Sequence, residues 1–267
     1  MSGRVAVVTG SSRGVGRGIA RVLGECGATV YVTGRSEGVE RVAAEVTELG
    51  GHGVAARTDH TDPGQVTALF ERAAGLDLLV ANAWGGYQHE DGVEFGAPFW
   101  QQPLERWDVM FRTGLRATYL AVHAAAPRLI AQRGGLIVLT AGWHESDHYL
   151  GSLPYDTVKL ATSRMVRTLA HELRPHAVDV AGVYPGFTRT EAVIEAFAKD
   201  GRQPPPETHS PEYVGRAVAS LLADPERARW SGTGAQAAEY GRRYGFTDLD
   251  GREIETFQLP DTLMLEQ

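Results

Sequence analysis

Six short apolar runs, rich in β-branched residues, alternate with longer amphipathic stretches along the 267-residue chain. The runs are RVAVVT (4–9), TVYVT (29–33), GVAAR (53–57), LDLLVANA (76–83), GLIVLTA (135–141) and VDVAGVY (178–184). They lack the strict apolar–polar alternation of a half-exposed strand, which predicts strands buried on both faces. Between them lie GRGIARVLGECG, EGVERVAAEVTELG, PGQVTALFERAAG, the segment 103–133 and PYDTVKLATSRMVRTLAHELRPH, all of helix length. Strands alternating with helices make βαβ units. The pattern therefore predicts an α/β fold, a doubly wound parallel sheet with helices on both faces, with 1–267 as a single domain. Two stretches break the rhythm: an aromatic, acidic insertion at 84–107, and 187–210, which carries three consecutive prolines and the helix-like EAVIEAFAKD. Both follow strand C-terminal ends, where open α/β sheets bind ligands, and the second reads as a substrate lid.

Composition narrows the function. Hydrophobic content of 43% and charged content of 22% are ordinary for a globular protein. Cys26 is the only cysteine, so neither a disulfide framework nor a multi-cysteine metal site is available. A net charge of −7 without a basic run argues against nucleic acid and anionic membranes as partners. No window approaches the roughly 18 apolar residues of a membrane span, and MSGRVAVVTG enters a strand at once instead of a leader pattern. A cytoplasmic protein acting on a small molecule is the expectation.

The first apolar run leads into Thr9-Gly10-Ser11-Ser12-Arg13-Gly14-Val15-Gly16 and then a helix. Glycines there permit positive φ and let backbone approach a pyrophosphate, while the helix N-terminus offers N–H groups and positive partial charge. Gly10, Ser12, Arg13, Gly14, Val15 and Gly16 are thus candidate nucleotide contacts. The second run ends Val32-Thr33-Gly34-Arg35, with no acid before Glu37 to hold a ribose 2′-hydroxyl. A guanidinium suits a 2′-phosphate, so Arg35, helped by Arg13, points to NADP(H) over NAD(H).

Two catalytic patterns compete within TAGWHESDHYLGSLPYDTVKLA (140–161). His144 to His148 spells H-E-x-x-H, which binds zinc when both imidazoles stand one helical turn apart. Gly142, Gly151 and Pro154 crowd the segment, leaving little room for a stable helix, so no metal is expected there. Tyr155 and Lys159 lie four residues apart in the following helix and share one face. An ammonium there stabilises a phenolate and makes the phenol a usable general acid or base. With nine tyrosines and two lysines in the chain, such a pair seldom arises by chance.

Together these residues resemble the short-chain dehydrogenase/reductase family over nearly the whole length, which implies a Rossmann-type fold. The tail YGRRYGFTDLDGR (240–252) resembles the branch related to dehydrogenase/reductase member 1. The resemblance implies adenine contacts from Asp59 and His60, a turn at Asn82 and Ala83, nicotinamide-side contacts from Pro185, Gly186, Thr188 and Thr190, and a nicotinamide-ribose contact from Lys159 beside the Tyr155 proton donor. It also implies a homodimer or homotetramer built partly from 103–133 and 154–175. Two expected residues are missing. The family's serine, thirteen positions before the tyrosine, falls on Gly142, and its helix-borne asparagine falls on Gly114. His144, Ser152 and Thr140 are the candidates to replace the serine. The expected activity is an NADP(H)-dependent oxidoreductase of a carbonyl/alcohol pair, on a hydrophobic or aromatic substrate. The two glycines leave open a non-redox enzyme on the same scaffold (a cyclase, dehydratase or isomerase) or a protein that binds NADP without turnover.

Overall fold

The computed structural model describes residues 1–86, 92–142, 149–199 and 201–258. Seven parallel strands form one sheet: β1 (Val5–Val8), β2 (Thr29–Gly34), β3 (His52–Arg57), β4 (Leu76–Ala81), β5 (Leu136–Thr140), β6 (Asp179–Tyr184) and β7 (Gly234–Gln236). Their spatial order is β3-β2-β1-β4-β5-β6-β7. The chain winds outward from β1 to β3, then crosses back to lay β4 on the other side of β1. That reversal opens a crevice above the C-terminal ends of β1 and β4, where such sheets seat a dinucleotide.

Successive side chains in a strand point to opposite faces, and both faces are packed here. Val8, Val32, Val80 and Val138 join one core layer beneath α1 (Gly14–Glu25), α2 (Gly38–Glu48) and α8 (Pro211–Ala223). Val7, Leu79, Ile137 and Leu139 join the other, beneath α3 (Pro63–Arg72), α5 (Ala117–Gln132) and α6 (Leu153–Leu173). Burial of each valine, leucine or isoleucine contributes about 1.5–3 kcal/mol relative to exposure.

Six strands coincide with the six apolar runs to within a residue or two. The seventh is not among them, because Gly-Ala-Gln is short and has no β-branched residue. The expected helical stretch 103–133 is divided into α4 (Leu104–Met110), a π-helical turn (Phe111–Arg116) and α5. Helices α7 (Glu191–Lys199) and α9 (Ala237–Tyr244) complete the set. No described helix is long and apolar enough to cross a membrane.

Candidate active site

The glycine turn after β1 is held from three sides. Thr9 Oγ1 accepts the N–H groups of Asn82 and Ala83, at 2.8 and 2.9 Å. Asn82 Nδ2 donates back to the carbonyls of Thr9 and Gly10, at 3.0 and 3.2 Å. Ser11 donates to the Val8 carbonyl and accepts from Thr33 N–H. Gly10 and Gly14 have φ of +65° and +57°, which only glycine adopts without strain. A Cβ on Gly10 would sit 2.7 Å from Ala83 Cα, and one on Gly16 would sit 2.6 Å from Asn82 Nδ2.

Helix α3 is capped by Asp62, whose side chain accepts from Gly64 and Gln65 N–H. Helix α1 has no such cap, since Arg13 at that position makes no capping bond. Instead Glu191, at the start of α7, accepts from Gly14 N–H at 2.9 Å and pairs with Arg17. The chain thus places an anion of its own on the N-terminus where a phosphate would be favoured.

At the ends of β2 and β3 the candidates divide. Arg35 and Arg13 are exposed. Asp59 Oδ1 accepts from the Thr61 amide and hydroxyl; burial raises its pKa, but these bonds and nearby Arg35 outweigh it, and the net shift is downward. The His60 ring faces inward. Its Nε2 meets Thr33 Oγ1 at 2.8 Å, and burial lowers its pKa to about 4. Thr33 Oγ1 gives its proton to the Val8 carbonyl, which leaves the imidazole N–H as donor in the His60 pair.

Tyr155 and Lys159 lie on the cleft face of α6, both half-buried. Lys159 Nζ stands 5.6 Å from the centre of the phenol ring and donates to the Thr140 carbonyl at 3.4 Å. The Thr140 hydroxyl donates elsewhere, to Ala81 O at 3.3 Å. Ser152 is fully buried, and its hydroxyl donates to Gln102. The H-E-x-x-H segment, including His144, lies outside the described residues. Gly142 has its carbonyl tied to Ser163, and a Cβ there would come within 2.7 Å of Lys159 Cβ.

The aromatics of the insertion do different things. Trp84 and Phe95 meet Tyr155 edge-on, each with ring centres 5.5 Å apart. Trp107, on α4, stacks on Phe111, and Phe99 and Trp100 pack on each other while largely exposed. Tyr87 lies outside the described residues. After β6, Gly186 has φ of +76°. Pro185 O accepts from the His209 ring, and Thr188 forms an isolated parallel bridge with His209. Thr188 Oγ1 is buried without a hydrogen-bond partner among the described residues. Thr190 Oγ1 accepts from Val193 N–H at the start of α7.

A small cavity is lined by Asn82 and Ala83, which brace the glycine turn, together with Trp84, Thr140 and Lys159. The short chain dehydrogenase family model matches residues 4–201. The chain belongs to the short-chain dehydrogenase/reductase family. Among its relatives in that family, dehydrogenase/reductase SDR family member 1 of Mus musculus is 36% identical, over 96% of this chain and 87% of its own. A 3-oxoacyl-[acyl-carrier-protein] reductase of Aquifex aeolicus is 31% identical, over 84% and 92%. A metagenomic short-chain oxidoreductase solved in complex with NADP superposes with a TM-score of 0.71, at 29% identity, covering 88% of this chain and 96% of that one.

Sequence reasoning alone does not single out the roles of Thr9, Ser11, Ser163 and Glu191. Thr9 and Ser11 lie inside the glycine string, so their positions are visible there. Glu191 is not: its contact spans 177 positions, and only the fold brings α7 over the loop.

Proposed function

We propose that the protein is an NADP(H)-dependent oxidoreductase acting on a carbonyl/alcohol pair, on a hydrophobic or aromatic small molecule. The observation that carries this reading is the Tyr155–Lys159 pair on one helix face, with Lys159 at the edge of a small cavity that Asn82 and Ala83, the residues bracing the glycine turn, also line. The residues present fit a dinucleotide. The turn keeps glycines where a Cβ would strike Ala83 and Asn82, and Thr188 Oγ1 is a buried hydroxyl without a partner among the described residues. The backbone from Gly10 to Gly16 would hold the pyrophosphate, with Ser12 beside it. Asp59, His60, Asn82 and Ala83 would border the adenosine side, and Pro185, Gly186, Thr188 and Thr190 the nicotinamide side.

When bound, NADPH supplies a hydride to the carbonyl carbon. Tyr155 donates its phenolic proton to the carbonyl oxygen, and Lys159 stabilises the phenolate left behind while holding the ribose. In the reverse direction Tyr155 takes the proton from the alcohol. Phe95 beside the phenol would give the substrate an apolar wall, and 187–210, which includes α7, would act as the lid. Arg35 and Arg13 at the end of β2 and in the turn favour a 2′-phosphate. A homodimer or homotetramer would use the faces of α4, α5 and α6.

NADPH consumption followed at 340 nm with a panel of aromatic ketones and quinones tests the reading. Turnover should appear, and Tyr155→Phe should lower kcat by roughly 10²–10⁴-fold. Product formed without cofactor oxidation would move the assignment to a cyclase, dehydratase or isomerase. Cofactor binding with no turnover over the whole panel would leave a binding protein. For the cofactor, Arg35→Asp should reverse the preference between NADP(H) and NAD(H), and unchanged affinities would remove Arg35 from the site.

A further inference from the structure

Gly114 lies at the position where the resemblance expects an asparagine near the lysine, and it sits within the π-helical turn Phe111–Arg116. The space is not left open. A Cβ on Gly114 would meet Trp84 Cζ3 at 2.5 Å, and a Cβ on Gly86 would meet Trp84 Cζ2 at 2.6 Å and Met110 Cγ at 2.7 Å. Two side-chain-free positions, 28 residues apart in sequence (86 and 114), therefore form the walls of one slot that an indole fills. From that slot the ring reaches both catalytic candidates. Lys159 Nζ stands 5.0 Å over the Trp84 ring centre, within cation–π range, and the ring meets Tyr155 nearly perpendicular, at 84°. Neither contact occurs by default, because an ordinary side chain at Gly114 or Gly86 would expel the indole.

We propose that Trp84 is the positioning residue of this active site: its indole takes the volume expected for the asparagine and holds the Lys159 ammonium on its π face beside Tyr155. This inference rests on the oxidoreductase reading for its kinetic consequences. The slot needs glycine at 86 and 114 and an aromatic at 84, so the three residues work as a set. Lys159 has a weak polar anchor in the Thr140 carbonyl at 3.4 Å. The π face supplies the second restraint, and a flat ring supplies it without competing for the three ammonium donors that the ribose and phenolate need.

Three variants test the proposal: Trp84→Leu, Trp84→Phe and the double change Trp84→Gly with Gly114→Asn. Each is measured by NADPH binding, read from cofactor fluorescence, and by kcat and KM across pH, after thermal melting confirms folding. Trp84→Leu keeps apolar bulk without a π face. It should lower kcat by roughly tenfold, weaken NADPH binding several-fold, and move the alkaline limb of the NADPH-oxidation profile to higher pH, because the phenolate loses a fixed cation. Trp84→Phe should restore most of the rate and return the limb toward its wild-type position. The double variant should recover part of both. A folded Trp84→Leu protein with wild-type NADPH affinity and an unmoved pH profile would overturn the proposal and reduce the indole to packing. Should the wild-type protein oxidise no NADPH at all, the oxidoreductase reading fails, and binding alone then decides the role of Trp84. Weaker binding in Trp84→Leu than in Trp84→Phe supports the proposal; equal affinities sink it.

Discussion

At the glycine turn, the loop is held by side chains bonded to main chain: Thr9 to two amides, Asn82 to two carbonyls, Ser11 to β1 and β2. At the Tyr155 end, the contacts are between rings, an ammonium and two positions without side chains. The first construction depends on backbone path and so on a fixed string of small residues. The second depends on volumes contributed by separate elements, and one large residue can replace another if its neighbours shrink. The nucleotide end should therefore fail abruptly under small substitutions, while the chemical end should respond through its neighbours.

The largest effect expected at the nucleotide end comes from acid. His60 is buried and neutral, with a folded pKa of about 4 against an ordinary value of 6.5. Because the folded value is depressed, the unfolded chain binds the proton more tightly. The contribution is present above about pH 6.5 and is lost as pH falls toward 4, amounting to about 3 kcal/mol at most. Urea unfolding at a series of pH values checks this. His60→Val should flatten that part of the profile, and a profile shared by both proteins would mean that the ring is not the group responsible.

Next comes Gly16→Ala. With Asn82 Nδ2 and the Gly10 carbonyl already at the position a methyl would take, the turn must open, and NADP affinity should fall roughly ten- to a hundredfold. Isothermal titration of the folded variant would expose the error if its affinity stayed within a factor of two.

The smallest effect is also the least intuitive. Gly142→Ser installs the residue that the family resemblance expects, yet its Cβ would press on the stem of Lys159. We expect no gain in kcat and a loss of about 1–2 kcal/mol in stability from overpacking. A variant that turns over faster than wild type would show that the backbone at 142 yields more readily than the Ser163 bond to its carbonyl implies.

Much of the fold was legible because fully buried parallel strands carry near-continuous apolar runs, and the β1 turn announces itself through glycine spacing. The Tyr155–Lys159 pair was legible for a similar reason: four residues on one helix fix a shared face. What escaped depended on distance in sequence or on direction. Trp84 reads only as one aromatic of the insertion at 84–107, and the glycines at 86 and 114 that leave room for its indole beside Lys159 are far apart in sequence. His60 reads as a ligand contact after β3, yet its ring turns inward to Thr33. Ser152, a candidate hydroxyl donor by sequence proximity, is joined to Gln102 of the insertion. Spacing cannot report which way a side chain turns once the backbone leaves a regular element.

The widened turn at Phe111–Arg116 has a bearing on every comparison drawn across it. One additional residue without a matching advance along the axis rotates all later side chains by about 100° relative to an uninterrupted helix. The buried row nevertheless runs on across it, from Arg106 and Met110 through Gly114 to Thr118, Ala121 and Val122. Engineering of that surface should therefore leave this row intact in both helices and confine exchanges to the side opposite it.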